Sequence, residues 1–239
     1  MDISVLIPIR DEELNLPEFH QIAANSLSTN KSVIGRLEFI YINDCSEDKS
    51  LEVLHDLAKT DTRIKIIDFS KQYGKTAALD AGFKQAQYPY VVTIDADLQY
   101  HPKDILRLAA EMNLSNTDAV FGRRVKRTTG VSRKFSSFLA TSFRNFVLNF
   151  SFSDCYFAIY KKKCASSMKL YRGFQDFLPL LLKLEGYTFS EIPVEEYPRK
   201  HGVSKYGFWN RVFKGFFALL VVRWLKNNHL GYEIKTAHD

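Results

Sequence analysis

The sequence predicts an α/β fold built on a doubly wound, mostly parallel sheet, with an amphipathic helical segment near its C-terminal end. Three observations predict it. Short β-branched, apolar runs recur through the first half without strict alternation, as strands buried on both faces of a parallel sheet require. Polar-apolar segments of helical length separate them, the alternation that builds right-handed strand-helix-strand units. Polar or ionisable residues follow every one of these strands, and ligands of open α/β sheets bind outside the strands' carboxyl ends.

The first strand is expected over Ile3–Ile9, ending in Arg10-Asp11-Glu12, with a helix over Leu16–Leu27 behind it. The second is Leu37–Ile42, closed by Asn43-Asp44-Cys45-Ser46, where Ser46 is the expected N-cap of a helix reaching Lys59. The third, Ile64–Phe69, leads through Gly74 into a helix over Lys75–Ala86, and the fourth, Tyr90–Ile94, ends in Asp95-Ala96-Asp97-Leu98-Gln99. The second half is less regular. Strands are expected at Asp118–Gly122, Cys155–Tyr160 and Phe189–Val194, and helices at Ser132–Asn149 and Phe177–Glu185. No repeat, low-complexity tract or clear linker divides the chain.

Bulk properties narrow the class. A chain of 239 residues, 46% hydrophobic and 25% charged, buries a sizeable core and is not a disordered one. Cys45, Cys155 and Cys164 are too few and too scattered for a disulfide framework or a zinc site, and they fit a reducing compartment. Met1-Asp2 leads straight into a strand, so no cleaved signal is expected. The longest purely apolar stretch, Phe216–Val222, falls far short of the ~20 residues that span a bilayer. The expected location is therefore cytoplasmic, soluble or peripheral to a membrane.

Asp95-x-Asp97 at the end of a buried strand is the strongest chemical feature. Two carboxylates two residues apart, with the amide oxygen of Gln99, are hard oxygen ligands for Mg²⁺ or Mn²⁺. An ion there would neutralise a diphosphate and improve it as a leaving group. Asp11, Glu12 and Asp44 end earlier strands and read either as ribose or nucleobase partners or as caps of the next helix. Gly74-Lys75 opens a helix whose N-terminus favours anions, without the spacing of a Walker loop. The six cations Arg123, Arg124, Lys126, Arg127, Arg133 and Lys134 lie in a stretch, Ala119 to Ser153, that has no acid. They ask for phosphate, and Arg is its bidentate clamp. Arg199-Lys200-His201-Gly202-Val203-Ser204-Lys205-Tyr206 is a second candidate clamp. From Trp209 to Trp224 apolar residues follow helical spacing with cations on the other side, a pattern for an interfacial membrane helix or for one packed on the core.

Taken together, the segments VLIPIRDEELNLPEF, YINDCSED, GKTAALDAGF, DADLQYHP and RKHGVSKYGFWNRVFKG resemble the family 2 glycosyltransferases with a Rossmann-like GT-A fold. Within that family the chain is most similar to the polyprenyl-phosphate glycosyltransferases, the dolichol-phosphate mannosyltransferase group and its bacterial relatives. The resemblance implies a catalytic domain over residues 1–206, with a nucleotide-sugar half (1–122) and an acceptor half (123–206), followed by an interfacial helix and tail (207–239). It places Pro8, Glu12, Asp44 and Lys75 around the nucleoside, and Asp95, Asp97 and Gln99 at the metal and donor diphosphate. Arg124, Arg133 and Ser137 match its acceptor-phosphate positions, and Arg199, Ser204 and Lys205 its donor-phosphate loop. Asp97, Arg124 and Arg133 are the catalytic candidates.

The implied reaction is an inverting, metal-dependent hexosyl transfer from a UDP- or GDP-sugar to undecaprenyl or dolichyl phosphate. It would run at the cytoplasmic face of the inner or endoplasmic-reticulum membrane, with the segment Trp209–Trp224 on the membrane and a membrane-protein partner or a second copy as further assemblies. A lipid phosphate is already ionised at pH 7 and needs cations rather than a general base. The family's usual Asp-Asp-Gly-Ser is Asn43-Asp44-Cys45-Ser46 here, and Cys155-Tyr156-Phe157 replaces a small-residue motif after Asp154. Competing readings are a saccharide acceptor in envelope polysaccharide assembly and a non-catalytic membrane-binding module. No recognised nucleic-acid motif is present.

Overall fold

The computed structural model describes residues 1–126, 147–150, 152, 157–200 and 219–228. Arg133, Ser137, Asp154, Ser204, Lys205 and residues 209–218 of the amphipathic segment lie outside the described residues.

Seven strands form one sheet in the order β3-β2-β1-β4-β6-β5-β7. They are β1 (Ile3–Ile9), β2 (Leu37–Asn43), β3 (Ile64–Asp68), β4 (Tyr90–Thr93), β5 (Ala119–Lys126), β6 (Ala158–Lys161) and β7 (Phe189–Glu196). β1 pairs in parallel with β2 and β4, β2 with β3, and β5 with β7, while β6 runs antiparallel between β4 and β5. The connections from β1 to β3 step one way across the sheet, and the connection into β4 returns to the other side of β1. The switch point therefore falls between β1 and β4, and ligands of such sheets bind in the crevice outside the strands' carboxyl ends there. Pro8 sits just past the last β1–β4 pair, Leu6↔Thr93, where only β2 still pairs with the strand. A residue without an N–H is tolerated there.

Period-two alternation divides the core into two layers. Val5 and Ile7 of β1 pack with α1 (Leu16–Ser28), α2 (Ser50–Thr60) and α4 (Asp104–Ser115), which contribute Phe19, Ala23, Leu54, Ile105 and Leu108. Leu6, one residue out of phase, packs on the opposite face with Ala78, Leu79 and Phe83 of α3 (Lys75–Gln85) and Cys164 of α5 (Lys162–Ser167). At Gly82 a Cβ would come within 2.8 Å of Leu6 Cδ1, so glycine lets α3 lie close on the sheet. Close seating of α3 fixes where its N-terminus, and with it Lys75, meets the crevice.

Several elements differ from the expectation. α4 and α5 are additions, although Ile105, Leu108, Ala109 and Met112 bury the i, i+3, i+4, i+7 face that defines an amphipathic helix. α2 begins at Ser50 after Lys49, so Ser46 is not its cap. The Ser46 hydroxyl instead accepts the Asp11 N–H at 2.9 Å and donates to Asn43 Oδ1 at 2.5 Å, which ties the β1 and β2 ends together. Asp11 does not cap α1 either, because its Oδ1 accepts the Glu47 N–H at 2.6 Å. β5 runs on to Lys126 because β7 pairs with it as far as Lys126↔Glu196, so Arg123 and Arg124 stand on a strand. β6 begins at Ala158, and a 3₁₀ turn (Gln175–Phe177) precedes α6 (Leu178–Leu184).

A third apolar cluster joins Phe174, Phe177, Leu180 and Leu181 to Leu148, Phe152, Leu219 and Val222. Residues 219–228 are helical, with Leu219 and Val222 buried and Leu220, Val221 and Trp224 exposed. This part of the C-terminal segment has one face on the core and another turned outward.

Candidate active site

The crevice at the switch point gathers side chains from five places in the sequence. β4 ends in a tight turn in which Leu98 takes φ +57°, and the Gln99 N–H donates to Asp97 Oδ1 at 3.1 Å. This turn aims Asp95 and Asp97 into the crevice. Lys75, the first residue of α3, places Nζ 2.5 Å from Asp95 Oδ1. Arg199 approaches from beyond β7, its Nε 3.0 Å from Asp97 Oδ2 and 2.9 Å from Gln99 Oε1. Lys200 anchors that segment to α1 through Glu18 at 2.6 Å.

Glu12 completes the acidic side. Its carboxylate accepts the Asn15 amide N–H at 2.6 Å, and its own backbone N–H donates to Ser50 Oγ at 2.7 Å. Burial pushes the Glu12 carboxyl above its ordinary range, and the charges of Asp97 and Asp95 push it further. Asp97 is also raised, first by burial and then by the charge of Asp95. These acids bind protons more readily than usual because their negative charges are crowded and poorly hydrated. Lys75 and Arg199 are the cations that offset them.

That donor set fits a divalent cation. Mg²⁺ and Mn²⁺ are commonly held by one or two carboxylates with substrate phosphates completing the coordination. Asp95 and Asp97 supply the carboxylates, and the crowding that raises Asp97 is what such an ion relieves. Among the described residues no group of three or more His, Cys, Asp or Glu side chains forms a metal cage by itself. Donor phosphates would supply the remaining ligands.

Asp44 is buried at the end of β2 and holds the loop that leads into α3. Its Oδ1 accepts the N–H groups of Tyr73 and Gly74 at 2.7 and 3.0 Å, and Oδ2 accepts Gly74 N–H at 3.0 Å. It thereby fixes the loop before α3, where Gly74 takes φ +91° and caps the helix. Cys45 beside it takes φ +56°, at the position where the resembling family usually has glycine. A side chain in the left-handed region costs roughly 1–2 kcal/mol. Cys45→Gly is therefore expected to raise stability by about 0.5–1 kcal/mol after the larger unfolded-state freedom of glycine is counted, measured as the urea midpoint.

Arg124 lies to the side, on β5. Its Nε donates to the Tyr100 hydroxyl at 3.0 Å and its NH1 lies 3.2 Å from Glu196 Oε1. Glu196 also accepts the Gln99 amide N–H at 3.4 Å. The structure thus brings together Glu12, Lys75, Asp95, Asp97, Gln99 and Arg199, with Asp44 and Pro8 on the neighbouring strands and Arg124 linked through Glu196. Tyr100 and Glu196 were not singled out from the sequence. The strand-end rule applied to β7 points to Glu196, whereas nothing local marks Tyr100.

A family model described as glycosyl transferase family 2 matches residues 4–168, more than half of the chain. The chain belongs to glycosyl transferase family 2. It is 31% identical over 207 residues to an undecaprenyl-phosphate 4-deoxy-4-formamido-L-arabinose transferase of Pseudomonas fluorescens, covering 85% of this chain and 60% of that protein. It is 29% identical over 229 residues to a dodecaprenyl-phosphate galacturonate synthase of Rhizobium johnstonii, covering 93% and 66%. The chain thus spans about 60% of the length of the first of these curated relatives. A mannosyltransferase of Pyrobaculum calidifontis, solved with GDP-Man and Mn²⁺, superposes with a TM-score of 0.65 at 18% identity over 96% of this chain and 65% of that one. Glucosyl-3-phosphoglycerate synthase of Mycobacterium tuberculosis, solved with Mn²⁺ and UDP-glucose, gives 0.66 at 16% identity over 93% and 78%. The family 2 chain shares the GT-A fold of these structures.

Proposed function

We propose that this family 2 glycosyltransferase transfers a sugar, with inversion, from a nucleotide diphosphate-sugar to a polyprenyl phosphate. The observation that carries the reading is the link between Arg124 and the acid pair. Arg124 meets Glu196, Glu196 meets Gln99, and the Gln99 backbone meets Asp97. A cation suited to phosphate is therefore joined through two residues, Glu196 and Gln99, to the carboxylates suited to a metal-bound diphosphate. The names of the relatives, which transfer to undecaprenyl and dodecaprenyl phosphate, support the same acceptor class.

On this reading Mg²⁺ or Mn²⁺, when bound, neutralises the donor diphosphate and makes it a better leaving group. Asp95 and Asp97 hold it, and Lys75 and Arg199, at the mouth of the same crevice, turn to the phosphate oxygens. Arg124 orients the acceptor phosphate. One of its oxygens forms a bond to the anomeric carbon from the face opposite the donor, and the bond to the β-phosphate oxygen breaks with its electron pair on the departing diphosphate. No proton need be removed from the ionised nucleophile, so alignment and charge neutralisation provide the acceleration.

Membrane attachment follows the same logic. Among the described residues no helix is long and apolar enough to cross a membrane. The exposed Leu220, Val221 and Trp224, near the cations Arg223 and Lys226, are the surface proposed to meet lipid. The decisive assay offers UDP- and GDP-sugars one at a time with Mg²⁺ or Mn²⁺ to undecaprenyl and dolichyl phosphate. Metal-dependent labelling of the lipid with one donor is expected. Transfer to saccharide acceptors with no lipid labelled by any donor would overturn the proposal.

A further inference from the structure

We propose that Glu196 is a positioning residue of the acceptor site, the counter-anion that holds Arg124 ready and surrenders it to the incoming phosphate. The inference rests on the reading of Arg124 as an acceptor clamp and adds to it a residue and a coupling to the donor side. Three features of the geometry carry it.

The first is that Arg124 is aimed rather than merely present. It stands on the same sheet face as Val194, its β7 partner in register, and Glu196 follows one pleat later. Its Nε is held by the Tyr100 hydroxyl at 3.0 Å, and the buried Tyr100 ring stacks on Phe157 with centroids 5.4 Å apart and an interplanar angle of 21°. A rigid aromatic pair therefore fixes the guanidinium plane.

The second is the character of the Arg124–Glu196 pair. The Glu196 side chain is 15% exposed and that of Arg124 34% exposed, so the cation is the member nearer solvent. Arg124 NH1 lies 3.2 Å from Glu196 Oε1. A phosphate monoester carries more charge than a carboxylate and offers the bidentate oxygens that a guanidinium prefers, so it competes well against a carboxylate.

The third is that Glu196 is shared. Its Oε1 also receives the Gln99 amide N–H at 3.4 Å, while Gln99 Oε1 receives Arg199 Nε at 2.9 Å and that nitrogen lies 3.0 Å from Asp97 Oδ2. The bridge runs from acceptor cation to donor acid through alternating donors and acceptors. When phosphate takes Arg124, the Glu196 carboxylate keeps Gln99 as a partner and holds it beside Asp97.

The test measures binding of the full chain to phosphatidylcholine vesicles that contain undecaprenyl phosphate, with undecaprenol vesicles as the control. Glu196→Gln removes the competing charge at constant shape and is expected to tighten phosphate-dependent binding by about three- to tenfold. Arg124→Ala is expected to weaken it by about tenfold or more, and adding Glu196→Gln to that variant should then change nothing. A merely structural glutamate would not give tighter binding that requires both the lipid phosphate and Arg124. Unchanged or weaker binding by Glu196→Gln, with Arg124→Ala still weak, would overturn the inference alone. So would tightening that persists without Arg124 or with undecaprenol. Wild-type binding by Arg124→Ala would instead overturn the acceptor reading beneath it. Glu196→Ala, read in the same way, serves if the glutamine variant folds poorly.

Discussion

Asp97→Asn is expected to lower transfer by about 10³-fold, the scale seen when a charge that organises a transition state is removed. The chain should stay folded. Asp97 is 4% exposed, and its carboxyl is raised by burial and by the charge of Asp95, so its ionised form is disfavoured in the folded state. Asparagine keeps the shape and can still accept the Gln99 N–H. The sign of the pH effect follows from the raised carboxyl. A group whose proton affinity rises on folding contributes stability that is present below the ordinary value of 3.8 and is lost as pH rises through the higher folded value. The variant should therefore match or exceed the wild-type Tm at neutral pH while lacking the Tm increase expected of the wild type with Mn²⁺. That increase should itself shrink as pH falls toward 3.8, because protons then compete with the ion for the crowded acids. Transfer within about tenfold of wild type, or an undiminished response to Mn²⁺, would remove Asp97 from the metal site.

The reach of the sequence is clearest where one physical rule dominates. β1 begins and ends as expected, and α1 and α3 are each matched to within a residue, because burial on both sheet faces and helical periodicity leave little choice. Asp95, Asp97, Glu12 and Lys75 were legible as neighbours because the strand-end rule places them on one edge. Their pairing was not. Lys75 meets Asp95 across 20 residues and Arg199 meets Gln99 across 100, and no local pattern encodes such separations. Ser46 shows local chemistry misleading. A serine before a helix is the expected cap, yet the stitch to Asp11 and Asn43 uses its hydroxyl for joining two loops. The β5 extension was hidden for another reason. A basic run reads as a loop until β7 supplies the partner that makes it a strand. α4 is different again, since the spacing of Ile105, Leu108, Ala109 and Met112 is a readable helical face.

The second large effect concerns the scaffold. Asp61→Ala is expected to cost about 2 kcal/mol in unfolding free energy at pH 7, the scale for breaking one partner out of a half-buried charged network. Asp61 Oδ2 accepts from Arg63 NH2 at 2.6 Å and lies 3.2 Å from His20 Nε2, while His20 Nδ1 meets the Tyr41 hydroxyl at 3.0 Å. The partners fix the tautomer. Nε2–H donates to the carboxylate, and Nδ1 accepts the phenol proton. Burial supports this state by pushing the His20 proton affinity down and that of the Tyr41 hydroxyl up. Hydrogen bonding to Arg63 holds Asp61 down at about 2 against an ordinary 3.8, so its stabilisation is complete above 3.8 and is lost as pH falls through about 2. That shift corresponds to about 2 kcal/mol. His20 acts in the same direction, because its lowered folded value means that protonation below 6.5 favours the unfolded chain. Urea unfolding across acidic pH should show the wild type losing stability as the variant's curve flattens. The network lies at the amino-terminal end of β3, across the sheet from the crevice, so turnover per folded molecule should be unchanged. A loss below about 0.5 kcal/mol would show that the four side chains are held by packing alone. Reduced turnover at full folding would show instead that α1, which carries His20 close to the Glu18 that receives Lys200, transmits the change to the Arg199 segment.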